Sequence, residues 1–183
     1  KAYPNMAALP QKVDLAIIAT RAPTVPDMVN KCIASGALSA VVISAGFSEA
    51  GEEGNRLVDQ IRQSVESSGM ALLGPNCLGF LRPKLNLNAS FSRKMPHKGG
   101  MAFISQSGAL CSAVLDWSVK EHVGFSYFVS IGEMVDIGFH DLIDYFGNDP
   151  DTKAILIYME TLTQARRFMS AARSFARTKP IIV

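Results

Sequence analysis

Short apolar runs alternate with segments of helical period along almost the whole chain. "VDLAIIAT" (13–20) is continuous and apolar, as in a strand buried on both faces. "TVPDMVNKCIASG" (24–36) then reads as a helix that Thr24 can cap, with Pro26 in its first turn and Gly36 at its end. "SAVVIS" (39–44) is β-branched and strand-like. After the glycine-rich stretch 45–54, Leu57, Val58, Ile61 and Val65 recur at helical spacing, and Gly69 closes that helix. "MALLG" (70–74) predicts a third strand, running into "GPNCLGF".

The rhythm breaks at 82–99, "RPKLNLNASFSRKMPHKG". This stretch is polar and basic, holds two prolines and lacks helical period. It predicts an irregular connection, with room for a short extended pair, and marks a domain boundary. The alternation resumes with a strand at 101–105. A helix of about four turns follows, with Leu110, Ala113, Val114 and Trp117 on its apolar face. A strand at 125–131, a short helix at 139–146 and a strand at 153–159 come next. The helix at 163–178 places Phe168, Met169, Ala172, Phe175 and Ala176 on one side, and "PIIV" starts a last strand. Strand–helix alternation predicts an α/β protein with parallel sheets covered by helices on both faces. The apolar strand at the C-terminus and the absence of a Gly-rich first βα turn point to a piece of a longer polypeptide.

Composition narrows the class. With 48% hydrophobic and 19% charged residues, the chain of 183 has material for a proper core in one or two domains. A net charge of +2 indicates neither nucleic acid nor a membrane as partner. Cys32, Cys77 and Cys111 are odd in number and widely spaced. They read as reduced thiols of a cytoplasmic protein, with no disulfide frame and no metal site. No Asp or Glu occurs between Glu66 and Asp116, where Arg82, Lys84, Arg93, Lys94, His97 and Lys98 lie. Such a region tolerates an anion, although a buried strand beside a basic loop would look the same.

In parallel α/β sheets, ligands sit beyond the C-terminal ends of the strands. "SQSG" (105–108) stands at one such end. A nucleophile elbow needs G-x-S-x-G, and Ser107 lacks both flanking glycines. A helix start with small residues suits an anion instead, through free N–H groups and the positive dipole end. Plain capping by Ser107 explains the same residues and is the commoner use of such a serine. Cys77 is a nucleophile only if a neighbour lowers its pKa, and a packed thiol is the simpler reading. Glu160, after "ILIYM", emerges at a ligand end, where it orients a histidine or hydroxyl, or merely caps the next helix. The absence of G-x-G-x-x-G disfavours a nicotinamide dehydrogenase.

Taken in order, "AVVISAGFSEAG", "LLGPNCLGF", "LNASF", "GGMAFISQSGAL" and "DPDTKAILIYMET" resemble the NDP-forming acyl-CoA synthetases over nearly the whole chain. Within that family the pattern is nearest the ADP-forming acetate–CoA ligases, with the succinyl-CoA synthetase α subunit as a relative. The resemblance implies that residues 1–94 are the later part of a Rossmann-like CoA-binding domain with its linker. Residues 95–183 would then be most of a flavodoxin-like ligase domain with a parallel sheet. It implies the reaction acyl-CoA + ADP + phosphate ⇌ carboxylate + CoA + ATP, through an acyl phosphate and a phosphohistidine carried beyond Val183. Ser105, Gln106, Ser107 and Gly108 map to the phosphate site, and Glu160 to the carboxylate that orients the histidine. Thr20, Arg21, Ala22, Pro23, Ser44, Ala45, Gly46, Phe47, Asn76 and Cys77 map to the loops that contact coenzyme A. ATP/ADP and Mg would be bound by an ATP-grasp domain or β subunit outside this chain, in an oligomer. Glu133 stands where many ADP-forming members carry Asn. A second class is a CoA- or acyl-CoA-sensing regulatory module of a GNAT-type protein lysine acetyltransferase.

Overall fold

A computed structural model describes all residues from Lys1 to Val183. The chain builds two sheets. The first contains β1 (Leu15–Ile18), β2 (Ser39–Val42) and β3 (Ala71–Leu73), all parallel and in that spatial order. Two helices, α1 (Val25–Ala34) and α2 (Glu52–Ser68), provide the crossovers. Their apolar stripes meet one face of the sheet: Val25, Val29, Leu57, Ile61 and Val65 pack with Ala40, Val42 and Leu72. Gly69 ends α2 in the left-handed conformation, with φ of 71° and ψ of 8°, as its place in the sequence predicted.

The second sheet has six strands in the order β5-β4-β7-β6-β8-β9. Four of them, β6 (His97–Ser105), β7 (Gly124–Ser130), β8 (Ala154–Tyr158) and β9 (Ile181–Ile182), are parallel. β4 (Gly79–Arg82) and β5 (Leu87–Ser90) extend the sheet antiparallel to β7 and to each other. The sheet is therefore mixed where parallel strands alone were expected. The segment 82–99 is not a free connection: its strand β5 pairs with β4, which is hydrogen-bonded to β7 of the second sheet, and the irregular part is confined to a few residues before β6. Pairing of Phe80 with Val129 and of Leu81 with Phe128 holds it there.

Helix α3 (Gly108–Lys120) covers one face of this sheet; α4 (Phe139–Asn148) and α5 (Ala165–Phe175) cover the other. Alternation along β6 serves both cores, with Phe103 on the α3 side and Ala102 and Ile104 on the side of α4 and α5. Two helical faces differ from the expected ones. α3 turns Cys111, Leu115 and Ser118 inward, while Trp117 is 55% exposed. Apolar residues surround this helix, so its composition leaves the inward stripe undetermined; Cys111 and Leu115 pack on the aromatic cluster of Phe103, Phe125 and Phe128. α5 buries Phe168 and Ala171 and leaves Met169 exposed. Thr24 makes no capping bond to α1; its hydroxyl donates to the Arg21 carbonyl at 2.8 Å, within a 3-10 turn, Ala22–Thr24, that leads into the helix.

The connection from β7 to α4 runs along β3 and joins the two units. Glu133 N donates to Pro75 O (3.0 Å), Val135 N to Gly74 O (3.2 Å) and Ile137 N to Leu72 O (3.2 Å). Asp136 returns a carboxylate oxygen to Leu72 N at 2.8 Å. The free face of the first sheet, through Val41 and Leu73, joins the core beneath α4 and α5. No helix is long and apolar enough to cross a membrane.

Candidate functional site

The turns that follow β1, β2, β3, β6, β7 and β8 were expected to carry the chemistry. After β3, Gly74-Pro75-Asn76 turns sharply, with Asn76 at a φ of 55° and its N–H donating to Ser44 O at 2.9 Å. After β7, Gly132 crosses directly over this turn. Its φ is +56°, and a Cβ there would lie 2.0 Å from Pro75 O. Only glycine allows the two backbones to approach so closely.

After β6, Ser105 is fully buried; its hydroxyl donates to Ser107 O (3.0 Å) and accepts from Ser107 N (3.1 Å). Ser107 caps α3, its Oγ accepting from Leu110 N at 3.2 Å. The capping reading thus holds for its side chain. Gln106 reaches across to the turn after β8. Its Oε1 accepts from Glu160 N (2.6 Å) and Thr161 N (2.9 Å), and its Nε2 donates to Thr161 Oγ1 (3.1 Å). The side-chain amide, with an acceptor and a donor on one head, ties the α3 start to the Glu160 turn.

These turns enclose a hollow of about 310 Å³ on the seam between the units. Asn76 enters it from the first unit, and Gln106 and Glu160 from the second. Glu133 and Gly132 lie on its wall, together with Ser48, Arg62 and Thr163, which sequence reasoning did not single out. Arg62 lies on the polar side of α2 and pairs with Asp59 at 2.7 Å, so nothing in the local pattern distinguishes it from a solvated helical charge. Ser105, Ser107 and Gly108 stand behind Gln106 and do not line the hollow; nor do Thr20–Pro23, Ser44–Phe47 or Cys77.

Those remaining positions occupy the expected strand ends but are partly internal. Phe47 is fully buried and Ala22 nearly so, which leaves backbone as their contribution to any ligand. Ser44 Oγ is buried and has no hydrogen-bond partner. The Cys77 thiol donates to Val42 O at 3.3 Å, and burial pushes its pKa up to about 12. Cys77 is therefore a packed thiol and not an activated nucleophile. Neither His97 nor His122 can serve Ser107: they lie against each other, 5.0 Å between ring centroids, at the opposite end of β6 and β7.

Electrostatics concentrate at Glu133. Burial raises its pKa first, and contact with the Glu49 carboxyl raises it further, against a bond from Ser48 that lowers it. Burial also works against the charge of Glu49, but the Gly46 N–H leads a set of bonds that outweighs it, and the net direction is down.

Comparison with known proteins places these two units. Residues 1–83 match the CoA binding domain family, and residues 98–183 match the succinyl-CoA ligase like flavodoxin domain family. Acetate–CoA ligase [ADP-forming] I of Archaeoglobus fulgidus is 46% identical over 181 residues, covering 99% of this chain and 26% of that protein. The α subunit of acetate–CoA ligase [ADP-forming] II of Pyrococcus furiosus is 40% identical, over 100% of this chain and 40% of its own length. A dinucleotide-forming acetyl-coenzyme A synthetase 1 of Ca. Korarchaeum cryptofilum, solved with phosphate and ADP, superposes with a TM-score of 0.93 at 39% identity. That match covers 99% of this chain and 39% of that one. The chain thus spans between a quarter and two fifths of the length of these relatives. They are named as ligases or synthetases, and nothing in them favours the acetyltransferase regulatory module.

Proposed function

The chain belongs to the NDP-forming acyl-CoA synthetase family, and on that premise we propose that it is the CoA- and phosphate-handling part of an ADP-forming acyl-CoA ligase. The complete protein would convert acyl-CoA, ADP and phosphate to carboxylate, CoA and ATP. The observation that carries this reading is the hollow on the seam, where Asn76 of one unit meets Gln106 and Glu160 of the other. Two sets of strand ends, one from a CoA-binding unit and one from a ligase unit, converge on one space.

Each group has a role that its chemistry suits. The N-terminus of α3, reached through Ser105, Gln106, Ser107 and Gly108, offers N–H groups and a positive dipole end to a phosphoryl group. Gln106 fixes the backbone of Glu160, so that this carboxylate is held at the mouth of the hollow. There it would orient the imidazole that carries the phosphoryl group, a histidine supplied by the longer protein. The turns Thr20–Pro23 and Ser44–Phe47, with Asn76 and Cys77 beside them, would contact coenzyme A. Backbone groups of these turns would make those contacts. ATP/ADP with Mg would sit on an ATP-grasp domain or β subunit, in a cytoplasmic oligomer. The functional division we propose keeps 1–94 as the CoA unit with its linker and 95–183 as the ligase unit, although Gly79–Ser90 pairs into the second sheet.

The full-length protein incubated with γ-labelled ATP is expected to acquire one acid-labile phosphoryl group on histidine. Glu160→Gln should slow that labelling by up to about ten-thousand-fold, as when a catalytic histidine loses its orienting carboxylate, with CoA affinity nearly unchanged. An acid-stable label, or none in an active preparation, overturns the reading. Loss of CoA binding in Glu160→Gln would remove Glu160 from its assigned place.

A further inference from the structure

The loop after β2 presents three consecutive N–H groups, on Gly46, Phe47 and Ser48, the kind of run that forms an anion nest. Two carboxylates fill it. Glu49 bends back on its own loop and accepts from Gly46 N (2.6 Å) and Phe47 N (3.1 Å). Glu133 comes from the second unit and accepts from Ser48 N (3.2 Å) and Ser48 Oγ (2.6 Å). The backbone of Glu133 is itself fixed to the first unit through Pro75 O and the close crossing at Gly132. The two carboxyl groups thus sit on adjacent N–H groups of one loop, Phe47 and Ser48, and each bears on the charge of the other.

Two ionised carboxylates in contact repel, whereas one proton between them makes a hydrogen bond, so such a pair titrates as a unit. Its environment assigns the partners. Glu49 has two N–H donors to stabilise its charge, and Glu133 is the more deeply placed. Among the charged groups lining the adjoining hollow, Arg62 belongs to α2 and Glu160 to the turn after β8. Glu49 is the charge that acts on Glu133.

We propose that Glu133 is a positioning residue for coenzyme A: with one proton shared between Glu133 and Glu49, the second unit clamps the Gly46–Ala50 loop of the CoA unit, and losing that proton loosens the clamp. This rests on the reading that the loop contacts coenzyme A. The sign follows. The clamp is complete below the upper titration of the pair and weakens as pH rises through it. By linkage, bound coenzyme A raises the proton affinity of the pair by the same factor as the proton raises coenzyme A affinity.

The test is calorimetric titration of the full-length protein with coenzyme A at about pH 4.5 and about pH 8, for wild type, Glu133→Gln and Glu133→Ala. Coupling worth one pKa unit weakens wild-type binding about tenfold more across that range than it weakens the Gln variant. The Gln variant keeps an acceptor for Ser48 and an N–H donor for Glu49 without a titrating proton, and it carries only the ligand's own ionisations. The Ala variant binds weakly at both pH values. Repeating the wild-type titration at the higher pH in buffers of different ionisation enthalpy shows proton uptake absent from the Gln variant. Coincident wild-type and Gln profiles, or a Gln variant as weak as Ala, overturn the clamp and leave the CoA reading intact. A wild-type protein that binds no coenzyme A at either pH overturns that reading itself.

Discussion

Gly132→Ala puts the seam between the units to a quantitative test. Gly132 has a φ of +56°, and the added Cβ would lie 2.0 Å from Pro75 O, with Asn76 O at 2.7 Å. All the nearest atoms belong to the backbone of the turn after β3, so no side chain can swing away. Reaching ordinary contact requires the two loops to part by more than about 1 Å. The left-handed conformation costs an L-residue about 1–2 kcal/mol, and forced separation of packed backbone costs about 1–3 kcal/mol more. Gly69→Ala is the control: φ there is +71°, and nothing lies within 4 Å of the added atom. Its cost is the conformational part alone, about 1 kcal/mol. At about 2–4 °C per kcal/mol for a chain of this size, Gly132→Ala should lower the thermal midpoint by roughly 10 °C and Gly69→Ala by roughly 3 °C. The same displacement would break the Glu133 N to Pro75 O bond. Hydrogen exchange at Glu133 should therefore quicken only in Gly132→Ala. Equal melting shifts for the two variants would refute the close crossing of the two loops.

Two further outcomes follow from burial. The Cys77 and Cys111 thiols are pushed up to about 12 and about 11 by burial, and Cys32 is raised for the same reason. The native protein should therefore resist iodoacetamide at about pH 8 and label only on unfolding; fast native labelling would contradict the packing. Asp136 also has a raised pKa, by burial first, against the Leu72 N–H bond that lowers it. A folded state that holds its proton more tightly than the unfolded chain loses stability as pH rises from the ordinary Asp range through the raised value. Asp136→Asn keeps an acceptor for Leu72 and should flatten that slope in pH-dependent urea melts; an unchanged slope would count against the burial of this carboxyl.

Much of the fold was legible in the sequence because burial on one or two faces writes a period into the chain. The runs at 13–20, 39–44 and 70–74 became β1, β2 and β3, and the stripe Leu57, Val58, Ile61, Val65 became the inner face of α2. α3 was harder, since its apolar residues surround the helix, and only the aromatic cluster on the sheet decides that Cys111 and Leu115 point inward. Within the polar stretch 82–99 only room for a short extended pair was legible, because an edge strand such as β5, half exposed, needs few apolar residues.

The amino-acid order by itself determined the alternation of strands and helices. It also determined where the strands end and, through an ordered set of motifs, the family. Tertiary structure alone decided which turns share a space. Asn76, Gln106, Glu133 and Glu160 are separated by tens of residues, and no local pattern joins them. The resemblance assigned Gln106 to a phosphate site, but only the fold shows its amide holding the Glu160 turn. Glu133 was marked in the sequence only as standing where many family members carry Asn; the crossing at Gly132 brings it onto the Ser48 N–H, on the loop that also holds the Glu49 carboxylate. The physical reason is the same in each case. Periodicity reports how a residue meets its own element, whereas hydrogen bonds and proton sharing depend on what another element brings within about 3 Å.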